Sequence, residues 1–337
     1  MTAVYNNSRS SLVQNMSSNQ SADPDRMVID HTPNNWIALV LFIGILLFNI
    51  IVIVLLLRRK KRSRMAFFVQ NLAFSDICIG LFYLLPRLVF HYFVLLPWTN
   101  SMCKAYGFLH MTSFHVSTFA IVVLTIDRLF VIQCPLSTIS KTRKYRYGLA
   151  FTAWTLGALT SIPYTLFYNS TDLNCSNMNP NMEVELWVTA SLLIFIPVVV
   201  IVICYSIMIR RIQNRNNGLL TLQDKGDPQC TRHQLLVSKA KIRTVKLLLL
   251  VVIVYIICWA PLLIGSILHI YTIVTNNKWL ETSSALAPLN SLTNPLVFLI
   301  FNRKMFLKKK RTENGNGLRS TRLVSTGYHS MTTTTNI

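Results

Sequence analysis

The sequence predicts an all-α membrane protein, a seven-transmembrane helix bundle followed by a short cytosolic amphipathic helix. The chain has 337 residues, of which 52% are hydrophobic and only 13% are charged, whereas soluble domains carry about 25% charged residues. A helix that crosses a bilayer needs roughly 20 apolar residues, and we find seven such stretches, numbered span one to span seven. The spans are 36–57, 66–93, 104–131, 147–168, 184–210, 242–270 and 283–301.

Lys and Arg alternate between the segments that join the spans. Segment 58–64 holds six of them, segment 141–146 four and segment 210–246 nine, whereas segments 94–102 and 169–183 hold none. Because cytosolic loops carry the excess of basic residues, this pattern predicts an extracellular N-terminus, a cytosolic C-terminus and a multi-pass protein of the plasma membrane. The net charge of +21 would also suit nucleic acid, but basic residues spread between apolar runs favour membrane lipid, so no nucleic-acid partner is expected.

The segments outside the spans divide into three parts. Residues 1–35 are polar and lack the apolar core of a signal peptide, and three N-x-S sequons predict an extracellular, glycosylated N-terminus. Residues 302–311 predict a basic amphipathic helix on the anionic cytosolic leaflet, with a disordered basic segment as the alternative. Residues 312–337 are rich in Ser and Thr and predict a disordered cytosolic tail. The sequons lie at Asn6, Asn15 and Asn19.

Several polar side chains lie inside the predicted spans, where an unsatisfied polar group is costly. Asp76 is the only acid at mid-depth of any span. Asn and Ser oxygens could accommodate its carboxylate together with water or a sodium ion, and we expect no other cofactor. The alternative is that these residues serve only as hydrogen bonds between helices. The other members of this network are Asn49, Ser117, Asn290, Ser291 and Asn294.

Eight short motifs occur once each, in order, along the spans. They are Asn49, "NLAFSD" at 71–76, Cys103, "DRL" at 127–129, Trp154, Pro197 with Tyr205, "CWAP" at 258–261 and "NPLVF" at 294–298. Together they resemble the signatures of the rhodopsin-like (class A) G-protein-coupled receptors over residues 36–311. Within that class, segments 237–261 and 289–295 resemble the vasopressin/oxytocin receptors, and the gonadotropin-releasing-hormone receptors look broadly similar. The resemblance implies a neuropeptide receptor, which is not an enzyme.

The resemblance also assigns roles near the cytosolic face. Asp127 is expected to hold Arg128 in the resting state, and outward movement of span six then exposes Arg128 to a heterotrimeric G protein, with Tyr205 and Asn294 in support. By analogy the G protein is of the Gq type and mobilises calcium, and the tail is expected to meet receptor kinases and arrestin. The other switch residues are Trp259, for which a core aromatic is the alternative, Pro261, Pro295 and Phe298.

Three residues depart from the family pattern. Leu129 replaces the Tyr that follows the Asp-Arg pair in many relatives, and Phe298 replaces the Tyr of the span-seven signature. Lys241, near the cytosolic start of span six, cannot act as an acidic partner for Arg128. The resting state is therefore expected to be held less firmly than in most relatives, with appreciable signalling in the absence of a ligand.

The outer side of the bundle is expected to hold a disulfide and a peptide pocket. Cys103 and Cys175 both face the oxidising side and are expected to pair, two free thiols being the alternative. Span three lacks the acid that a biogenic amine needs, and span seven lacks the lysine that retinal needs. Arg87 and His110 could meet a carboxylate, an amide carbonyl or an aromatic ring, unless Arg87 snorkels outward or His110 is a core histidine. The expected pocket residues are Tyr83, Arg87, His110, Tyr164, Trp259 and Ser266.

Two other classes of membrane protein fit the composition less well. A transporter or channel would show an internal repeat with broken spans in matching positions, and the sequence shows neither. A membrane enzyme would need a metal cluster or a nucleophile beside a base, but the histidines lack metal-binding spacing, so no metal site is expected. The sequence therefore favours a receptor.

Overall fold

The structure is a computed structural model that describes most of the seven spans. It describes residues 33–59, 64–92, 98–133, 143–170, 175–223, 228–271, 282–284 and 286–302, and within them the side chains of 33–35, 90–92, 143, 176, 215–223 and 228–248 are excepted. The three sequons, the tail and all but the first residue of the predicted amphipathic helix lie outside the described residues. The side chain of Lys241 does so as well.

Helices occupy all seven predicted spans, in the predicted order. Spans one to four are Pro33–Leu57, Arg64–Ile79 continued by Leu85–Tyr92, Asn100–Gln133 and Arg143–Phe167. Span five is Met182–Ala190 continued by Ile196–Gln223, span six lies within Pro228–Ile270, and span seven runs over Thr282–Asn302. Among the described residues, six of these helices are long and apolar enough to cross a bilayer. The helix of span four has the length, 25 residues, but is more polar.

The exposed faces of the helices are apolar, as lipid contact requires. Phe151 is 71% exposed, Leu166 68% and Val40 65%. Side chains of this kind would form large exposed apolar patches if the bundle were surrounded by water. The buried residues, in contrast, include the carboxylates of Asp76 and Asp127. Apolar residues outside and charged residues inside are the arrangement of a membrane-embedded bundle, which confirms the predicted fold class.

Two helices widen into a π-helical turn just before a proline. Gly80–Leu84 precedes Pro86 in span two, and Ser191–Phe195 precedes Pro197 in span five. Proline has no N–H, so the carbonyl four residues earlier loses its helical partner. A π-turn inserts one extra residue and rotates the side chains that follow it. These two turns therefore set which residues of spans two and five face the interior.

The second outer loop lies against the outer end of span three. Strands Tyr168–Ser170 and Cys175–Asn177 form an antiparallel hairpin in which Ser170 lies opposite Cys175. Cys175 forms a disulfide with Cys103, their Cα atoms being 5.4 Å apart. The predicted disulfide is confirmed, and it fixes the hairpin to the start of span three.

Spans three and four approach each other closely at a glycine. A Cβ added at Gly157 would lie 2.4 Å from Cγ2 and 3.0 Å from the backbone nitrogen of Val116. Small residues permit such close packing between membrane helices. Gly148, nine positions earlier in the same helix, has nothing within 4 Å of the corresponding position.

We predict that Gly157→Ala lowers the free energy of unfolding by about 1–3 kcal/mol, because the added methyl group overpacks the contact with Val116. Gly148→Ala is the matched control and should cause no loss of stability, since the space beside Gly148 is open. Thermal unfolding of the purified protein in detergent compares the two variants. Equal melting temperatures for the two would contradict the packing described for span four.

Candidate functional site

A central polar cluster links four spans around Asp76. The Asp76 side chain has no exposed surface. Ser117 Oγ donates a hydrogen bond of 2.7 Å to one carboxylate oxygen, and Asn294 Nδ2 donates one of 3.0 Å to the other. Asn49 Nδ2 donates to the backbone carbonyls of Ser291, at 3.1 Å, and Ile45. The structure therefore brings residues of spans one, two, three and seven into one network, as the sequence suggested.

A small cavity of about 30 Å³ adjoins the central polar cluster. Its lining includes Asn49, Asp76, Asn294, Pro295 and Phe298. A water molecule needs about 10–15 Å³ of such volume, so the cavity has room for one or two. Phe298 lines it with an apolar ring where the family signature has a tyrosine hydroxyl. Three side-chain oxygens lack hydrogen-bond partners among the described residues, those of Asn49, Asn290 and Ser291.

A second buried carboxylate lies between the start of span two and the end of span three, at the end of the bundle that the basic segments predict to be cytosolic. Asp127 has no exposed surface, and its two oxygens are bound by two different arginines. Arg128 Nη2 lies 2.6 Å from Oδ2, and Arg64 Nε lies 2.7 Å from Oδ1. We call Arg64, Asp127 and Arg128 the cytosolic cluster. The structure places Asp127 against Arg128, as the sequence predicted, but the part played by Arg64 was missed.

Span four contributes an aromatic ring to the cytosolic cluster. The guanidinium carbon of Arg64 lies 5.2 Å from the ring centroid of Tyr145, within the range of a cation–π contact. The Tyr145 ring therefore packs against the same guanidinium that binds Asp127.

A buried tyrosine joins spans three, five and six. The Tyr255 hydroxyl donates to the backbone carbonyl of Leu193, the carbonyl that Pro197 leaves without its helical donor. Since that bond uses the single phenolic proton, the hydroxyl of Thr118, 3.0 Å away, donates to the Tyr255 oxygen. Neither Thr118 nor Tyr255 was predicted. The signal available was a tyrosine within the apolar run "VIVYIICWAP" of span six.

The predicted switch residues lie in different surroundings. Trp259 is buried, its ring centroid being 6.1 Å from that of Tyr255 and 5.5 Å from that of Phe114. Tyr205 is half-buried and packs against the hydrophobic core. Among the described residues, no hydrogen bond links Tyr205 to the cytosolic cluster. Pro261 lies within the continuous helix of span six.

Three of the predicted pocket residues meet at the outer end of the bundle. The ring of His110 stacks on that of Tyr83, with centroids 4.7 Å apart, and on that of Tyr106, at 5.6 Å. Arg87 donates a weak hydrogen bond of 3.4 Å to the Tyr83 hydroxyl, which itself donates to the Ser284 carbonyl of span seven at 3.1 Å. We call Tyr83, Tyr106 and His110 the outer stack. Arg87 makes no ion pair with an acid among the described residues.

The other two outer pocket candidates lie apart from these contacts. Tyr164 is buried, and its hydroxyl lies 2.6 Å from Thr189 Oγ1 of span five. Its ring packs against His115, whose Nδ1 lies 2.8 Å from Ser161 Oγ. Tyr164 therefore connects spans three, four and five rather than lining the outer stack. Ser266 is half-buried and makes no side-chain hydrogen bond with a described residue.

The fold and these clusters define a class of protein, the seven-transmembrane receptors. The family model described as "7 transmembrane receptor (rhodopsin family)" matches residues 48–298, so the chain belongs to the rhodopsin family of seven-transmembrane receptors. It is a multi-pass membrane receptor, and the family is one of receptors rather than enzymes. The part of the chain that the structure describes contains no group of three His, Cys, Asp or Glu residues that could hold a metal ion.

Individual relatives are receptors for peptides. The chain is 28% identical to the neuropeptide S receptor of Rattus norvegicus over 78% of its own length and 75% of that protein. It is 27% identical to the mesotocin receptor of Rhinella marina, over 87% of this chain and 80% of the relative. It is 25% identical to the vasopressin V1b receptor of Mus musculus, over 72% of this chain and 65% of the relative. The crystal structure of squid rhodopsin has the same fold, with a TM-score of 0.71 at 20% identity, covering 84% of this chain and 85% of that one.

We predict that Tyr255→Phe lowers the free energy of unfolding by about 1–3 kcal/mol, because it leaves the buried Leu193 carbonyl and Thr118 hydroxyl without a partner. The matched control is Tyr147→Phe, which removes a hydroxyl from a tyrosine that is 60% exposed and should change little. Thermal unfolding in detergent measures both. If Tyr255→Phe and Tyr147→Phe had the same melting temperature, the Tyr255 hydroxyl would not hold the three spans together.

Proposed function

We propose that this receptor binds an extracellular neuropeptide and passes the signal to heterotrimeric G proteins through an outward movement of span six. The observation that carries the proposal is the buried Arg128 at the cytosolic end of span three, held by the Asp127 carboxylate at 2.6 Å. If Arg128 exchanges the Asp127 carboxylate for another partner, its positive charge becomes available to bind the G protein. The Gq type of G protein and calcium release are proposed by analogy with the family.

The outer stack supports a peptide as the ligand. It offers stacked rings for an aromatic or planar group, and Arg87 beside it offers a guanidinium for a carboxylate or a carbonyl. The relatives named above are receptors for neuropeptide S, mesotocin and vasopressin. Glutamines that line the vasopressin-type pocket are absent from the corresponding positions here, so the peptide differs in its contacts.

A line of ring contacts connects the outer stack with the middle of the bundle. His110 contacts Phe114 at 5.4 Å, Phe114 contacts Trp259 at 5.5 Å, and Trp259 contacts Tyr255 at 6.1 Å. A ligand shifts the equilibrium between two arrangements only by its difference in affinity for them. A peptide that displaces His110 or Phe114 would therefore favour whichever arrangement of Trp259 and Tyr255 fits the displaced rings.

The central polar cluster fits a sodium ion. The Asp76 carboxylate and the unpaired oxygen of Asn49 are hard oxygen ligands that line a cavity of about 30 Å³, and the Ser117 hydroxyl is bonded to that carboxylate. A bound cation would balance the buried carboxylate of Asp76.

The remaining parts of the proposal concern location and partners. The basic segments support a C-terminus in the cytosol and an N-terminus outside the cell, and we propose the plasma membrane as the site of action. The Ser/Thr-rich tail is proposed to meet receptor kinases and arrestin, since phosphates would add negative charge there.

A calcium-reporter screen of transfected cells against a neuropeptide library tests the proposal. We predict that Arg128→Ala abolishes the response to the active peptide, because the charge that meets the G protein is gone, while binding of the labelled peptide persists. Lys144→Ala, an exposed cytosolic residue, is the control and should respond as the unmodified receptor does. Normal signalling by Arg128→Ala would contradict the proposed coupling mechanism.

A further inference from the structure

Asp127 is shared between two arginines instead of belonging to Arg128 alone. One carboxylate oxygen binds Arg128, from the same helix, and the other binds Arg64, from the start of span two. The arginine side chains are 16% and 10% exposed, for Arg64 and Arg128 respectively, and the Asp127 side chain is 0% exposed. The carboxylate therefore depends on both arginines for compensation of its charge.

The two arginines differ in their freedom to leave. Under the proposed function, Arg128 turns towards the G protein in the active state. Arg64 lies on a different helix and its guanidinium packs over the Tyr145 ring at 5.2 Å, so nothing in that movement requires it to follow. If Arg64 were absent, the departure of Arg128 would leave an unpaired buried carboxylate, which is strongly unfavourable.

The shared carboxylate also affects the resting state. An arginine that faces a free carboxylate makes two parallel hydrogen bonds to both oxygens, which is the strongest arrangement of this pair. Arg64 binds Oδ1, and Arg128 binds only Oδ2. Since the single negative charge of Asp127 is shared between two cations, Arg64 weakens the hold of Asp127 on Arg128.

We infer that Arg64 is a positioning residue of the receptor's switch, which retains Asp127 when Arg128 leaves and thereby favours the active state. Both effects of Arg64 have the same sign, so the second ion pair of Asp127 promotes activation rather than opposing it. This inference rests on the proposed function, because it assumes that Arg128 exchanges Asp127 for a G protein.

The test compares the affinity of the purified receptor in lipid nanodiscs for a nucleotide-free G protein, without any peptide. The apparent affinity for the G protein is proportional to the fraction of receptor in the active state, so a variant with a smaller active fraction binds more weakly. We expect Arg64→Gln to weaken binding by about tenfold, since it strands the buried carboxylate in the active state. Arg64→Lys should restore most of the affinity, because an ammonium still compensates Asp127.

Removing the Asp127 carboxylate distinguishes the proposed role of Arg64 from a direct contact with the G protein and from support of the fold. Asp127→Asn should strengthen G-protein binding, and Arg64→Gln in the Asp127→Asn background should change nothing further. A drop in affinity in that background would mean that Arg64 contacts the G protein or only supports the fold, and would overturn the inference. Arg58→Gln, at an exposed residue at the cytosolic end of span one, is the matched control and should bind normally.

Two further outcomes are distinguishable. If Arg64→Gln alone binds as well as the unmodified receptor or better, the inference fails while the proposed function stands. If neither the unmodified receptor nor Asp127→Asn binds any of the G-protein types, the proposed function itself fails.

Discussion

A carboxylate buried in a lipid-embedded bundle must be bound by partners from neighbouring helices, and this constraint organises the structure at two depths. At mid-membrane, Asp76 is bound by Ser117 and Asn294 of spans three and seven. At the cytosolic end, Asp127 is bound by Arg64 and Arg128 of spans two and three. Because lipid offers no competing hydrogen bonds, the bonds made by the two acids hold these helices to one another. Any movement between the helices must leave each acid with at least one partner.

The same constraint explains how proline can sit inside these spans. Pro197 frees a carbonyl in span five, and Tyr255 of span six supplies the missing donor. The freed carbonyl thereby becomes a contact between two helices, and Thr118 extends that contact to span three. Since Tyr255 also packs against Trp259, the contact lies at the inner end of the line of rings that begins at the outer stack. Span six is thus tied to its neighbours by one phenolic hydroxyl, which a rearrangement of the rings would have to displace.

The sequence predicted the features that depend on apolar length, on the side of the membrane or on family motifs. Span positions follow from apolar length, the disulfide from two cysteines on the oxidising side, and the contact of Asp127 with Arg128 from the resemblance to the rhodopsin-like receptors. It did not predict the contact of Arg64, which lies 63 positions from Asp127 in a basic segment of the chain. Nor did it predict that Tyr164 faces span five, because that depends on how span four is rotated against span three at Gly157. Such pairings depend on helix rotation and close packing, which periodicity alone does not give.

The distance between the cytosolic ends of spans three and six tests the central claim most directly. Spin labels at Gln133 and Lys241, with Cys134 and Cys230 replaced by serine, report that distance by double electron–electron resonance in nanodiscs. We predict that a nucleotide-free G protein adds a population with a longer distance, and that Arg128→Ala prevents its appearance. A G protein that binds without changing the distance distribution would contradict the account.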